Sequence, residues 1–373
     1  MKLLAVLGTR PEAIKMAPVI REARTRGVET TVCVTAQHRE MLDQVLSLFA
    51  IDPDIDLDLM EPGQTLASLT ARALLALDKV LEDVAPDRVL VQGDTTTAMV
   101  AALAAFYRRI PVGHVEAGLR TGDLARPFPE ELNRRVADAV SGHHFLPTER
   151  ARQNLIAEGF AEETLAVTGN TVVDALQWVR GQAPMDPGSF GMDAFADTER
   201  LVLVTAHRRE SFGAGMQAIA RALTQIVTDN PDVRIVYPLH PNPNVRPVME
   251  EALGAVDRVH LLPPLDYLPF VQLMAEATLI LSDSGGVQEE APSLGVPALV
   301  LRETTERPEA VDAGAVRLVG LETGTIVREA NHLLQNPEAH AEMAVAVNPY
   351  GDGLASRRIV SILLGENWQE FRP

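Results

Sequence analysis

The stretch from Leu279 to Leu301 compresses an unusual set of residue types into one turn. An apolar run ends in Ser282-Asp283-Ser284 and turns on Gly285-Gly286. It continues as a segment that reads as a short helix, with Gln288, Glu289 and Glu290 expected in its first turn. Two glycines let a backbone come close to a bulky ligand. The free amides that begin a helix attract anions. Carboxylates just inside that helix can accept hydrogen bonds from sugar hydroxyls. Phosphate plus ribose is a nucleotide.

Other reactive residue types also stand at the ends of apolar runs. GTRPEAIKMAP (8–18) offers a close turn at Gly8, Pro11 in a first helical position, and the cations Arg10 and Lys15. The bidentate fork of Arg10 suits a diphosphate. Asp94, in QGDTTTAM, sits where a strand meets a helix and could equally cap that helix. In IPVGHVEAGLRTGD, His114 alternates within the strand as a core histidine would, whereas Glu116 interrupts an apolar strand end. Glu130 and Glu131 suit a first helical turn; that reading accounts fully for one of them and need not hold for both. His207, Arg208 and Arg209 form a dense cationic group directly after a strand, and His240 ends another. Arg302 and Arg307 stand among Glu303, Glu306 and Glu309, where surface ion pairing is the competing reading.

Composition narrows the chemistry. The chain has 373 residues and a net charge of −18, from 33 basic and 51 acidic side chains, which argues against a nucleic-acid partner. A single cysteine, Cys33, rules out an internal disulfide and fits a reducing compartment. No apolar run approaches the roughly 20 residues of a membrane span, and the start of the chain does not read as a signal peptide. A cytoplasmic protein with no membrane partner is expected. The sequence contains no HExxH, GxSxG or Walker A pattern. The adjacent His143 and His144 point to opposite sides of a strand, so metal chemistry is poorly supported.

The elements that must position these residues alternate throughout. Strands are expected at 3–8, 28–36, 87–94, 110–116 and 143–148, with helices at 18–26, 39–49, 65–84, 97–109 and 131–141. A second series begins at 199–207, after a Pro-, Gly- and Asp-rich stretch at 185–197. Such alternation implies parallel sheets covered by helices on both faces. Ligands of open α/β sheets bind beyond the carboxyl ends of the strands, where the residues above lie. A cleft between two doubly wound domains is therefore the expected site.

Taken together, ten blocks resemble the non-hydrolysing UDP-N-acetylglucosamine 2-epimerases. They are GTRPEAIKMAP, TAQHREMLDQV, QGDTTT, VGHVEAGLRTGD, PFPEELNRR, VTGNTVVDAL, TAHRRES, DSGGVQEEAPSLGVP, ETTERPEAV and NPYGDGLASRRI, running from residue 8 to about residue 359. The resemblance implies two Rossmann-like domains of the glycosyltransferase-B type. They would span 1–170 and 171–352, with the C-terminal helix, 353–373, packing back on the first. It implies a homodimer that interconverts UDP-GlcNAc and UDP-ManNAc without metal or redox cofactor, supplying ManNAc for cell-surface polysaccharide. It also implies an acid/base set of Asp94, Glu116 and Glu130, with no choice among them as the base in either direction. His207 is expected to assist at the leaving diphosphate. Arg10, Lys15, Ser284, Gly285 and Gly286 are expected at the diphosphate, Glu290 at the ribose and Arg307 at the substrate.

Members with an activating second UDP-GlcNAc site hold it with residues matched here by Gln37, His38, Arg208 and His240. Glu40 stands where Gln is usual and Gly63 where Arg is usual, and both changes disfavour a second diphosphate. Weakened or absent activation is expected. A hydrolysing epimerase and a retaining glycosyltransferase of the same fold are the alternative readings.

Overall fold

The structure, a computed structural model, describes residues 1–35, 39–61, 63–182 and 199–373, without the side chains of 39–41. Gln37, His38 and the 185–197 stretch lie outside the described residues. The chain forms two compact units. One comprises Met1–Gln177 with Tyr350–Pro373, and the other Trp178–Pro349.

In the first unit β1 (Lys2–Leu7), α1 (Arg10–Thr25), β2 (Glu29–Val34), α2 (Arg39–Leu48), β3 (Ile55–Asp56) and α3 (Leu66–Val84) come first. There follow β4 (Arg88–Gln92), α4 (Thr96–Tyr107), β5 (Val112–Val115), α5 (Glu130–Val140), β6 (His143–Leu146), α6 (Glu149–Ala157), β7 (Leu165–Val167) and α7 (Thr171–Arg180). The sheet order is β3-β2-β1-β4-β5-β6-β7, and its pairings are parallel.

The second unit repeats the plan with β8 (Arg200–Thr205), α8 (Ala214–Asp229), β9 (Val233–Pro238), α9 (Arg246–Leu253), β10 (Val259–Leu262), α10 (Tyr267–Glu276) and β11 (Leu279–Ser282). It continues with α11 (Gly285–Leu294), β12 (Ala298–Val300), α12 (Pro308–Asp312), β13 (Val316–Leu318), α13 (Thr323–Gln335) and α14 (Pro337–Ala344). Its sheet, β10-β9-β8-β11-β12-β13, is also parallel. The last helix, α15 (Ala355–Leu363), belongs to the first unit.

With few aromatics, both cores are built from branched aliphatics and alanine. In the first, Leu4, Val6, Val89 and Val91 meet Leu77, Val80, Ala101 and Ala105. In the second, Val202, Val204, Ile235 and Leu281 meet Ile219, Leu223 and Leu333. Each such Leu, Ile or Val contributes roughly 1.5–3 kcal/mol by leaving water.

Three differences from the sequence expectation have physical causes. The first helix starts at Arg10 rather than residue 18 and runs through Pro18. Proline inside a helix removes one hydrogen bond, and here burial of Ala13, Met16, Ala17, Val19 and Ile20 offsets the loss. Strands β3, β7 and β13 were not expected; each lies at a sheet edge and has three residues or fewer, too short for an apolar run. The first unit extends to Gln177, where the expected boundary was 170, and is rejoined at Tyr350. Asn170 donates its N–H to the Tyr350 carbonyl (2.6 Å), and Asp174 accepts the N–H groups of Ala355 (3.2 Å) and Ser356 (2.7 Å). The start of α7 is thereby held to the returning segment.

Candidate active site

The order of each sheet reverses once, between β1 and β4 in the first and between β8 and β11 in the second. Ligands of open α/β sheets bind at the carboxyl ends beside such a reversal. Arg10, Lys15 and Asp94 follow β1 and β4; His207, Arg208, Ser284, Gly285 and Gly286 follow β8 and β11. These residues, singled out by chemical type, thus follow the strands that flank the reversal points of the two units.

In the first unit, Glu116 directly follows β5, in the left-handed region at φ +64°. A non-glycine residue there is uncommon, and strain of this kind costs of order 1–3 kcal/mol and gathers at functional sites. The side chain is nearly buried and is gripped from two sides. Lys15 of α1 is ion-paired with it, and Asn170 donates to its Oε2 at 2.9 Å. The side chain of Arg10, at the start of α1, has no hydrogen-bond or ion-pair partner among the described residues.

Asp94 is ion-paired with Arg134, and its carbonyl accepts from Asn133 Nδ2 at 3.0 Å. It does not cap α4. Thr95 does, accepting the Ala98 N–H on its hydroxyl. This removes the capping explanation for Asp94. The neighbouring pair Glu130 and Glu131 divides its work. Glu131 is fully buried, accepts the Thr121 and Gly122 N–H groups at 3.1 and 3.3 Å, and pairs with Arg135 at 3.2 Å and Arg134 at 3.5 Å. Glu130, in contrast, has a buried Oε2 with no partner among the described residues. A buried acceptor left unmade is costly, and a ligand hydroxyl would satisfy it.

Two buried ionisable residues brace this group. Glu12 accepts from Gly8 N (3.1 Å), Thr9 Oγ1 (2.7 Å) and, across the sheet, Thr95 Oγ1 (2.7 Å). Burial raises its pKa to about 7, outweighing those hydrogen bonds. His114 lies within 2.6 Å of Asp138 Oδ1 and 2.7 Å of the Gly93 carbonyl, and both side chains are fully buried. Burial acts to lower the pKa of His114, but the Asp138 charge and hydrogen bond and the Gly93 carbonyl outweigh it, and the pKa is raised. Burial likewise opposes the charge of Asp138, and His114 and Arg120 overcome it, so its pKa is lowered.

In the second unit, buried Asp283 organises the loop after β8. Its Oδ2 accepts the N–H groups of His207 and Arg208, both at 2.8 Å, and Ser211 Oγ at 3.4 Å. The His207 ring stacks on His240 at 5.1 Å between centroids. Arg208 lies 3.8 Å from Glu306, whose acidity is increased by Arg302 and Arg208 against the cost of burial, to a pKa of about 2. Glu290 accepts from the Tyr267 hydroxyl at 3.0 Å, and Arg307 is ion-paired with the buried Glu289.

At the start of α11 the Ser284 side chain does not cap the helix. Neither Gly285 nor Gly286 has a positive φ. A Cβ on Gly285 would come no nearer than 3.7 Å to Arg208, and one on Gly286 no nearer than 3.8 Å to Ser284 Oγ. Neither conformation nor internal packing requires glycine at these two positions. Their bareness leaves room over uncapped amides at the positive end of a helix, which is the geometry of a phosphate site. A surface groove of about 710 Å³, lined by Gln217, Arg221, Thr224, Val327 and Arg328, contains none of these residues.

A family model described as UDP-N-acetylglucosamine 2-epimerase matches residues 21–364. The chain belongs to the UDP-N-acetylglucosamine 2-epimerase family. It is 55% identical to the UDP-N-acetylglucosamine 2-epimerase of Yersinia pestis, over 97% of this chain and 98% of that one. The crystal structure of UDP-GlcNAc 2-epimerase from Neisseria meningitidis bound to UDP-GlcNAc superposes with a TM-score of 0.90 at 51% identity, covering 98% of this chain and 100% of that chain. The Methanocaldococcus jannaschii UDP-GlcNAc 2-epimerase, in complex with UDP-GlcNAc and UDP, gives a TM-score of 0.80 at 35% identity, covering 98% and 100%. The two Rossmann-like domains expected of this epimerase family are thus the fold of the chain.

Within the first unit of this family member, Arg10, Lys15, Asp94, Glu116 and Glu130 gather at adjoining strand ends and helix starts. Within the second, His207, Arg208, His240, Ser284, Gly285 and Gly286 do so, with Glu290 and Arg307 on α11 and at the start of α12. Gly63 has φ +71°, and Glu40 lies in α2 without a described side chain. Sequence reasoning missed Glu12, Asn170 and Asp283, and read His114 as core. Glu289, set aside beside Glu290, is the anchor of Arg307. The available signal was polarity at positions bounded by apolar residues, as at Asp283 after LILS.

Proposed function

We propose that the chain catalyses reversible epimerisation at C2 between UDP-N-acetylglucosamine and UDP-N-acetylmannosamine, without hydrolysis. The observation that carries this reading is the set of three differently held carboxylates, Asp94 after β4, Glu116 after β5 and Glu130 at the start of α5. The relatives from N. meningitidis and M. jannaschii were solved with UDP-GlcNAc bound, which supports the substrate.

The C2 proton of the sugar is barely acidic, so the chemistry must proceed through C1. The C1–O bond to UDP breaks and its electron pair leaves on the β-phosphate oxygen. As positive charge develops at C1, a carboxylate removes the C2 proton and the C1–C2 double bond of 2-acetamidoglucal forms. Re-addition of UDP at C1 and return of a proton to the opposite face of C2 complete the exchange. Nothing is oxidised or reduced overall.

The side chains suit these demands. Arg10 and the bare start of α11 supply positive potential for the departing diphosphate, assisted by His207. Lys15, also assigned to the diphosphate end, orients Glu116 as well. Glu290 takes the ribose hydroxyls and Arg307 the remainder of the substrate. Asp94, Glu116 and Glu130 serve the two faces of C2 as acid and base.

The chain is assigned as a homodimer, supported by exposed Leu75, Phe106, Tyr107 and Leu132 on α3, α4 and α5. Its one thiol, buried and free, suits the reducing cytoplasm, where the product would supply ManNAc for surface polysaccharide. Among the described residues no helix is long and apolar enough to cross a membrane.

The test is NMR of the products formed from UDP-GlcNAc in D₂O. UDP-ManNAc carrying deuterium at C2, with UDP retained, is expected. Free ManNAc and UDP would mark a hydrolysing enzyme. Transfer to an added acceptor without epimerisation would mark a glycosyltransferase.

A further inference from the structure

Three consecutive residues around Asp94 are each pinned by a different element. The Gly93 carbonyl lies 2.7 Å from His114 Nε2 on β5. The Asp94 carbonyl accepts from Asn133 on α5 at 3.0 Å. The Thr95 hydroxyl donates to Glu12 on α1 at 2.7 Å. Of the three anchors, His114 alone also ties the other carboxylates together. It stands on β5, two residues before Glu116, and Asp138, its partner, lies on the helix that begins with Glu130.

The hydrogen bonds define the charge of the ring. A carbonyl oxygen only accepts, so Nε2 must carry a proton. Asp138 Oδ1 lies 2.6 Å from Nδ1, and Asp138 Oδ2 lies 2.8 Å from Arg120, which holds Asp138 as a carboxylate and so as an acceptor. Both ring nitrogens therefore donate, and a ring with two protons is an imidazolium. The surrounding charges balance it. Asp138 faces it from α5, Arg120 from the loop after β5, and Glu158, paired with Arg120 at 2.8 Å, follows α6. His144 of β6 contacts the Asp138 carbonyl at 3.0 Å.

We propose that His114 is a positioning residue, held as a buried imidazolium, that joins the strand leading to Glu116, the turn of Asp94 and the helix of Glu130. It touches no substrate. It acts by holding the Gly93 carbonyl, and with it the direction of the Asp94 side chain, against the Asp138 carboxylate. The inference rests on the epimerase reading for its kinetic consequence, but not for its charge state.

Two measurements on the full chain test it. ¹⁵N NMR of the histidine rings, with His114 assigned by comparison with His114→Gln, is expected to show both nitrogens protonated from pH 6 to 8. A neutral tautomer at pH 7 would overturn the proposal, whatever reaction the chain catalyses. His114→Phe removes both donors and is expected to lower kcat about 100-fold, the scale of a misplaced catalytic group, with KM changed less than about threefold. His114→Gln, which keeps one donor, should recover part of that loss. If His114→Phe does not fold, Asp138→Asn replaces it, and is expected to make the ring neutral and to lower kcat similarly. Turnover within about twofold of the parent in the folded variant would refute the positioning role. A parent chain inert on UDP-GlcNAc would instead defeat the epimerase reading and leave the NMR result standing.

Discussion

Lys15, on the helix after β1, is ion-paired with Glu116, in the left-handed turn directly after β5. Strand β4, which leads to Asp94, lies between β1 and β5 in the sheet. The pair therefore spans the strand that delivers a second carboxylate. Asn170, tied through its own N–H to the returning C-terminal segment, supplies the other hold on Glu116. A strained backbone and two side-chain anchors leave this carboxylate little freedom, as the proposed proton transfer at one face of a sugar ring would require.

Substitutions that keep shape but remove charge should separate chemistry from binding. Asp94→Asn and Glu116→Gln are expected to lower kcat by about 10²–10⁴-fold or more while UDP still binds. Lys15→Met should also lower kcat, because Glu116 then loses one of its anchors. Isothermal titration with UDP beside steady-state turnover checks all three. Near-parental turnover in both carboxylate variants would reassign the acid/base set.

Bare glycines at α11 predict an inverse relation between stability and affinity. Gly286→Ala adds a methyl group 3.8 Å from Ser284 Oγ, an ordinary contact, inside a helix. Alanine is favoured there by up to about 1 kcal/mol, so thermal stability should hold or rise. The same methyl group projects into the space proposed for phosphate, and UDP affinity should fall at least roughly tenfold. A less stable variant with unchanged UDP binding would assign this glycine to packing instead.

Two buried carboxyls give stability a pH dependence whose sign can be worked out. Burial raises Glu12 from an ordinary 4.5 to about 7 and Asp174 from 3.8 to about 6. Between those limits the folded chain keeps protons that the unfolded chain has released. The stability these groups contribute is therefore fully present below about pH 4 and is lost as pH rises through about 6 and then about 7. For Glu12 the span corresponds to on the order of 3 kcal/mol. Urea unfolding from pH 5 to 8 should show declining stability, with a shallower slope in Glu12→Gln. An unchanged slope in that variant would remove Glu12 as the source.

Activation by a second substrate molecule should be weak or absent. Gly63 offers no side chain where an Arg would meet a second diphosphate, and its φ of +71° would strain any replacement. Pure UDP-ManNAc is expected to convert without a long lag. A lag abolished by trace UDP-GlcNAc would refute this.

Much of the fold was legible because the signals for it are local. Alternating apolar runs and amphipathic helices mark ten of the thirteen strands' neighbourhoods and the repetition of one plan in two units. The three missed strands, β3, β7 and β13, lie at edges, where pairing on one side needs only two or three residues. The candidate site residues were conspicuous for a related reason. Charged residues at the ends of apolar strands are expensive to place without a use, so Asp94, Glu116 and His207 stood out by type and position, as did the paired glycines Gly285 and Gly286.

Partnership was not legible. Whether Glu130 or Glu131 stays open, what Glu289 holds and what a buried histidine faces depend on which strand ends adjoin. In parallel sheets those neighbours are separated by whole crossover connections. The sequence by itself determined the alternation, the residue types at each strand end and the family they belong to. Only the tertiary structure decided that Glu131 is consumed by the 121–122 loop, that Glu289 anchors Arg307, and that His114 meets Gly93 and Asp138. Periodicity along a chain specifies which face a residue takes. The identity of its partner is set by strand order, which no local pattern records.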